Sequence, residues 1–265
     1  MPAPEPNDLL ATLEKTLGAA GIDVPHVIAQ LGQVQASDDR AQGKPFSLRD
    51  HLRGLVLSLL SNQRPWEPIA RNRQQIEAIF YGYDPDCVRA TDPLLFVSAL
   101  QEIRCGNRVM VKQMSSLSEN IRTMERIASE YGSLDKFVES GDPNSIASKL
   151  SRPGAYKLRQ VGFTLALEYL RNVGIRAGKP DLHVRRALSG ARLGYVSDYP
   201  SEIDASVIMT NIARASGKNP TYVDNLLWMF CAKNYGEICG AEPRCSRCGF
   251  TSACNFPRSG LVGTP

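Results

Sequence analysis

Residues 158–188 read LRQVGFTLALEYLRNVGIRAGKPDLHVRRAL. Leu158 and Val161 are apolar and bracket a short turn that ends at Gly162. From Phe163 to Val173 the apolar residues Phe163, Leu165, Ala166, Leu167 and Leu170 recur at helical spacing, and Gly174 stops the run. A glycine ahead of a helix lets backbone N–H groups approach a ligand closely, and the helix N-terminus behind it attracts anions. A phosphate suits such a place. The chain then passes through Gly178-Lys179-Pro180-Asp181, which puts Asp181 at the N-cap of a second helix, Leu182 to Leu188. Taken alone, an Asp before a helix is a cap and nothing more.

Outward from this stretch, nearly every segment has helical period punctuated by Gly and Pro, and strand-like alternation is scarce. An all-α fold follows. Ser47 to Leu60 is the clearest helix. Ser47 with Asp50 makes a capping-box-like start, and Leu52, Leu55, Val56, Leu59 and Leu60 form a wide apolar face that predicts burial. Arg108 to Tyr131 reads as one long amphipathic stretch. Asn219 to Lys233 carries Leu226, Leu227, Trp228, Met229 and Phe230 and reads as deeply buried. Near the start, Asn7 to Leu17 and Val24 to Leu31 are short helices, and the polar run Ala36 to Lys44 reads as a linker.

The chain has 265 residues, enough to bury a sizeable core as one large or two small domains. A net charge of +4 and a pI of about 8.7 are compatible with a nucleic-acid partner but do not by themselves imply one. The N-terminus MPAPEPNDLL lacks the basic and apolar regions of a signal peptide, and no apolar run is long enough for a membrane span. A cytoplasmic protein without a membrane partner is expected. Seven cysteines in such a compartment argue for metal ligation and buried thiols rather than disulfides.

Four of those thiols, Cys239, Cys245, Cys248 and Cys254, fall within sixteen residues. The residues between them, among them Gly240, Glu242, Pro243, Arg244, Ser246 and Arg247, are too polar for a core, so a metal or a cluster is expected. Zinc is the competitor to iron and sulfur. Structural zinc sites usually pair two close cysteines with a second pair some way off, whereas here one close pair is flanked by singles. Cys87, Cys105 and Cys231 stand alone and read as small core residues.

The turn and the Asp together resemble the helix–hairpin–helix, Gly-Pro-Asp superfamily of DNA glycosylases, in its endonuclease III-like branch. The hairpin that family writes Leu-Pro-Gly-Val-Gly stands here as Leu158-Arg159-Gln160-Val161-Gly162, and its Asp with the following His as Asp181-Leu182-His183. The resemblance spans about Pro45 to Phe256 and extends to the cysteine order, whose first gap is five residues here and six in the family. It implies two helical lobes with a DNA-binding cleft between them over residues 46–235, and a [4Fe–4S] cluster loop over 236–256. A helical extension would precede these (1–45), packing on the body or touching DNA, and a tail would follow (257–265). Double-stranded DNA is the implied partner and a monomer the implied state. Gln160, Val161 and Gly162 would grip the DNA backbone, with Arg244 and Arg247 of the cysteine loop adding phosphate contacts.

The resemblance also implies a mechanism. The target nucleotide is flipped into a pocket. Gln63, in the Ser61-Asn62-Gln63 that ends the first buried helix, would enter the space it leaves. Trp66 could stack on the base and Glu67 could touch its edge or donate a proton, although both also read as a helix start packing on its neighbour. Asp181 would stabilise charge on the sugar and activate a water. Many relatives carry a lysine two residues after the second hairpin glycine; here that position is Thr164. Threonine cannot form a Schiff base, so base removal without strand cleavage is expected. The open alternatives are lyase chemistry through Lys157, removal of bulky modified cytosine from phage DNA as a defence, and a DNA-binding module without catalysis. The sequence does not name the base.

Overall fold

Several helix starts in this chain are set by side-chain caps. Ser47 with Asp50 and Ser201 with Asp204 form reciprocal capping boxes, while Asp92, Asp142 and Asn219 each cap a helix that opens on proline. The structure is a computed structural model that describes residues 2–256. The expected tail, 257–265, lies outside the described residues. Among these there are sixteen α-helices and no strand, so the fold is all-α. In order they are α1 (Pro6–Ala19), α2 (Val24–Leu31), α3 (Gln33–Ala41), α4 (Leu48–Leu60), α5 (Glu67–Arg71), α6 (Arg73–Ile79), α7 (Pro85–Ala90) and α8 (Pro93–Glu102). There follow α9 (Met110–Ser115), α10 (Leu117–Tyr131), α11 (Leu134–Glu139), α12 (Pro143–Ser151), α13 (Phe163–Asn172), α14 (Leu182–Leu188), α15 (Glu202–Ser216) and α16 (Pro220–Cys231). No helix among the described residues is long and apolar enough to cross a membrane.

The chain forms two compact units. One joins the residues up to Leu31 with those from Ala177 onward; the other runs from Gly32 to Arg176. A boundary drawn at residue 45 therefore does not coincide with a unit boundary. Within the first of these units α1 packs on α15 and α16, burying Leu9, Leu10, Leu13 and Leu17 almost completely. The expected linker over 36–44 is corrected, because most of it is α3. Its inner face is polar, which hid it from a hydrophobic pattern. Buried Gln33 donates to Glu168 at 3.0 Å and Asn172 at 2.8 Å, and Arg171 donates to the Gln33 side-chain amide oxygen, Oε1. The long stretch expected over 108–131 breaks at Ser116, which separates α9 from α10.

In the unit from Gly32 to Arg176, α4 and α13 are in close antiparallel contact. A Cβ at Gly54 would meet Val173 Cγ1 at 3.0 Å and Asn172 Cβ at 3.3 Å, at the C-terminal end of α13. Further along α4, the Ser58 hydroxyl donates to the Leu165 carbonyl at 2.7 Å, near the start of α13. The C-terminal end of α4 thus lies beside the N-terminal end of α13. Gly54→Ala, which would favour an isolated helix by about 1 kcal/mol, is expected instead to cost about 1–3 kcal/mol through overpacking. Denaturant unfolding measures this, and a stabilised variant would contradict the packing.

Next to this contact lies a buried polar group. His51 is fully buried; Tyr169 Oη donates to its Nδ1 at 2.6 Å, and its Nε2 faces Asp135 at 3.4 Å. Arg40 pairs with Asp135 and also donates to the Val173 carbonyl. Burial pushes the His51 pKa below its ordinary 6.5, against the pull of Asp135. Burial alone would raise Asp135, but hydrogen bonds from His51, Arg40 and the Phe46 amide hold it down to about 2. As pH falls below 6.5 the unfolded chain takes up a proton that folded His51 refuses, so stability present above that pH is lost on acidification. A second loss opens below 3.8 through Asp135. Melting temperature should fall from about pH 7 to about pH 5, and His51→Gln should flatten that slope while lowering stability throughout.

Candidate functional site

The turn before α13 is built around one left-handed residue. Gln160 has φ 61°, a conformation that costs a residue with a Cβ about 1–2 kcal/mol. This explains in physical terms why a glycine suits that position. The strain is held from outside the turn. Buried Asn120 of α10 accepts from the Arg159 amide at 2.6 Å and donates to the Arg159 carbonyl at 3.1 Å. The Leu158 amide bonds the Leu150 carbonyl at 2.9 Å, and the Leu158 and Val161 side chains are buried. Lys157 folds back so that its ammonium donates to the Val161 carbonyl. Burial, and then neighbouring Arg159, lower its pKa from the ordinary lysine value.

Gly162 is the N-cap of α13, where no side chain caps the helix. Its φ of −88° suits any residue, and a Cβ added there would meet nothing within 4 Å. Nothing within the described chain therefore requires glycine at this exposed position. Thr164 sits in the first turn of α13, half-buried.

The antiparallel pairing of α4 and α13 carries Gln63 to the same end of this unit as the turn. Gln63 follows α4, is exposed, and also has left-handed backbone, with φ 52°. Its segment is pinned by residues the sequence reading did not single out. Arg64 donates to the carbonyls of Gly106 and Arg104, and Asn107 donates to the Leu59 carbonyl near the end of α4 at 2.9 Å. Trp66 is buried, with the Arg73 guanidinium 5.5 Å from its ring centroid, an arrangement of helix-start packing rather than an open stacking face. Glu67 pairs with Arg71 at 2.9 Å.

Asp181 and the cysteines belong to the other unit. Asp181 Oδ1 accepts from the amides of His183 at 2.8 Å and Val184 at 3.1 Å, a full N-cap for α14. Among the described residues no hydrogen bond engages Oδ2. The loop that delivers Asp181 is fastened to α16. The Thr221 hydroxyl donates to the Ala177 carbonyl at 3.0 Å, and the buried Asp224 carboxylate accepts from the Lys179 amide at 3.1 Å. Gly178 admits Met209 of α15: a Cβ there would lie 2.6 Å from its methyl group. The signal for Asp224 was present in the sequence, as an acidic residue in the otherwise apolar run of α16. Burial holds the His183 pKa below the histidine norm, against the pull of Asp181.

Cys239 and Cys254 are buried, while Cys245 and Cys248 are half-buried. Among the described residues no three metal-ligating side chains form a ready cage for an ion. Burial, together with charge on Cys239, Cys254 and Cys245, pushes Cys248 up to about 11. Cys239 is lowered, first by a hydrogen bond from Cys231 and then by Arg192 and Arg186. The donor set itself, four cysteine thiols, has the chemistry that soft metal ions and iron–sulfur groups take. Arg244 and Arg247 are exposed in the same loop, Arg244 paired with Glu237 at 2.9 Å.

No family model matches the chain, and no curated protein matches its sequence. Solved structures do. The 8-oxoguanine DNA glycosylase of Thermotoga maritima superposes with a TM-score of 0.57 at 21% identity, over 86% of this chain and 98% of that one. The Methanocaldococcus jannaschii 8-oxoguanine glycosylase/lyase, solved with a 15mer DNA containing 8-oxoguanine, gives 0.55 at 16%, over 82% and 95%. The chain thus has the helical fold of these DNA glycosylases along most of its length.

Proposed function

We propose that this chain is a monofunctional DNA glycosylase that acts as a monomer on double-stranded DNA and leaves an abasic site. The observation that carries the reading is Gly162. It opens α13 beside a left-handed turn, and no atom of the described chain asks for a glycine there. A backbone-close ligand supplies the reason, and the first amides of α13 suit a phosphate. Gln63 is the residue that fills the gap in the base stack. Asp181 is the catalytic carboxylate: its Oδ1 is fixed by the helix cap, and Oδ2 stabilises charge on the sugar and takes a proton from water. Thr221 and Asp224 position it by fastening the loop before it.

The two solved relatives act on 8-oxoguanine, which makes an oxidised purine the first substrate to try. Mismatched thymine or uracil, alkylated purines, and hydroxymethylated or glucosylated cytosine complete the panel, the last two testing a role in phage defence. Cys239, Cys245, Cys248 and Cys254 would hold a [4Fe–4S] cluster, with zinc as the alternative. Such a cluster would supply structural bracing for the loop that bears Arg244 and Arg247. A second reading is lyase chemistry through Lys157, which lies beside the hairpin and donates to the Val161 carbonyl, and whose burial favours the neutral amine.

On the base that the wild type excises, Asp181→Asn should bind DNA as before and lose excision by roughly 100- to 1000-fold. If no base of the panel is excised by either protein while binding persists, the chain is a binding module. Borohydride should trap no cross-link with the wild type, whereas Thr164→Lys should acquire one; wild-type trapping at Lys157 would establish the second reading instead. Gly162→Ala should keep its stability or gain up to about 1 kcal/mol, yet bind duplex DNA about tenfold more weakly, about 1.4 kcal/mol. Equal affinity would remove the phosphate from the hairpin.

A further inference from the structure

We infer that Arg159 is a DNA-backbone clamp on the turn before α13, and that Glu119 of α10 holds its guanidinium in the free protein, so that DNA binding exchanges a carboxylate for a phosphate. Two cations flank buried Leu158 in the sequence, and the structure uses them differently. The Lys157 ammonium folds back on the Val161 carbonyl. The Arg159 side chain leaves the turn instead. Its Nε donates to Glu119 Oε1 at 2.7 Å, and the two side chains are 60% and 52% exposed. Among the described residues no hydrogen bond engages either Nη of Arg159. An ion pair this open adds little to folding, because water competes for both partners. It is readily given up for a better partner. A phosphate is one, since it accepts two N–H groups from a single guanidinium.

Two consecutive residues of α10 set this up. Asn120 accepts from the Arg159 amide at 2.6 Å and donates to the Arg159 carbonyl at 3.1 Å, while Glu119 takes the side chain. The backbone of Arg159 is therefore fixed by Asn120 whether or not its guanidinium is paired with Glu119. Arg159 lies three residues before Gly162, at most about 10 Å of chain, and a DNA strand carries a charge about every 3.4 Å along its axis. A phosphate seated on the first amides of α13 thus brings further phosphates of the same strand within reach of an arginine at the start of the turn. Proline, which the related hairpins are written with at this position, has neither an N–H for Asn120 nor a charge for DNA. Arg159 supplies both.

The inference rests on the reading of this turn as a DNA-backbone site. The test uses the full-length protein and a labelled undamaged duplex, so that no excision is needed. Affinity is measured across a salt series, and thermal melting of each variant checks its folding. Arg159→Gln should bind about tenfold more weakly, and the slope of log affinity against log salt should shrink by about 0.9, the share of one phosphate contact. Arg159→Lys, which keeps the charge without the fork, should restore the slope and only part of the affinity. Should Arg159→Gln fail to fold, that split of slope from affinity in Arg159→Lys carries the same test. Glu119→Gln should bind about two- to fivefold more tightly, the reach of an exposed ion pair, and the gain should vanish when it is combined with Arg159→Gln. A gain that persists in the double variant would make Glu119 a general repulsion of DNA and overturn the exchange. Unchanged affinity and slope in Arg159→Gln, with Gly162→Ala weakened, would overturn the role of Arg159 and leave the phosphate site on α13 standing. A wild type that does not bind the duplex would overturn that reading and this inference with it.

Discussion

The contact of α4 with α13 at Gly54 sets the geometry of the unit that bears the turn. A glycine inside a helix is ordinarily a weakness of about 1 kcal/mol against alanine. Here it lets two backbones approach until Val173 and Asn172 occupy the space of a side chain. The antiparallel direction then does the rest. With residue 54 beside 172 and 173, and residue 58 beside 165, the chain leaving α4 must emerge next to the turn that enters α13. Gln63 and Gly162 are about one hundred residues apart in sequence, and this one close approach brings them to a common end.

Much of this was legible in the sequence, because periodicity records which faces are apolar. The starts of α4, α13, α14, α15 and α16 follow from caps and from runs such as Leu52, Leu55, Val56 and Leu59. What escaped was held by polar groups. Helix α3 docks through Gln33 onto Glu168, Asn172 and Arg171, partners well over one hundred residues away, and a polar face that finds polar partners looks like a linker until the partners are known. The clamp of Asn120 on Arg159 and the Thr221 and Asp224 anchors have the same character. Buried polar groups must be paired, but a sequence shows only that they exist, not with whom they pair.

The turn shows how a departure from a motif can leave its geometry intact. Gln160 replaces a glycine yet adopts the left-handed backbone that favours one. The surroundings over-determine that conformation: Asn120 holds the preceding residue, Arg159, at both its N–H and its C=O, and Leu158 and Val161 are buried on either side. Strain of about 1–2 kcal/mol is tolerable where so many contacts would be lost by relieving it. The substitution at Thr164 differs in kind. Thr164 sits in the regular first turn of α13, where the identity of the side chain does not bear on the backbone conformation.

The cap and the catalytic role proposed for Asp181 are compatible. As a cap, it places Oδ1 against two amides of α14, and that is what fixes the carboxylate plane and the direction of Oδ2. The preceding residues are fastened to α16 at Ala177 and Lys179, which anchors the loop that carries the cap. A group that must stabilise a developing charge gains most from being held in place before the charge appears. In the catalytic role proposed for Asp181, the interactions that make it look like an ordinary helix start would supply that preorganisation.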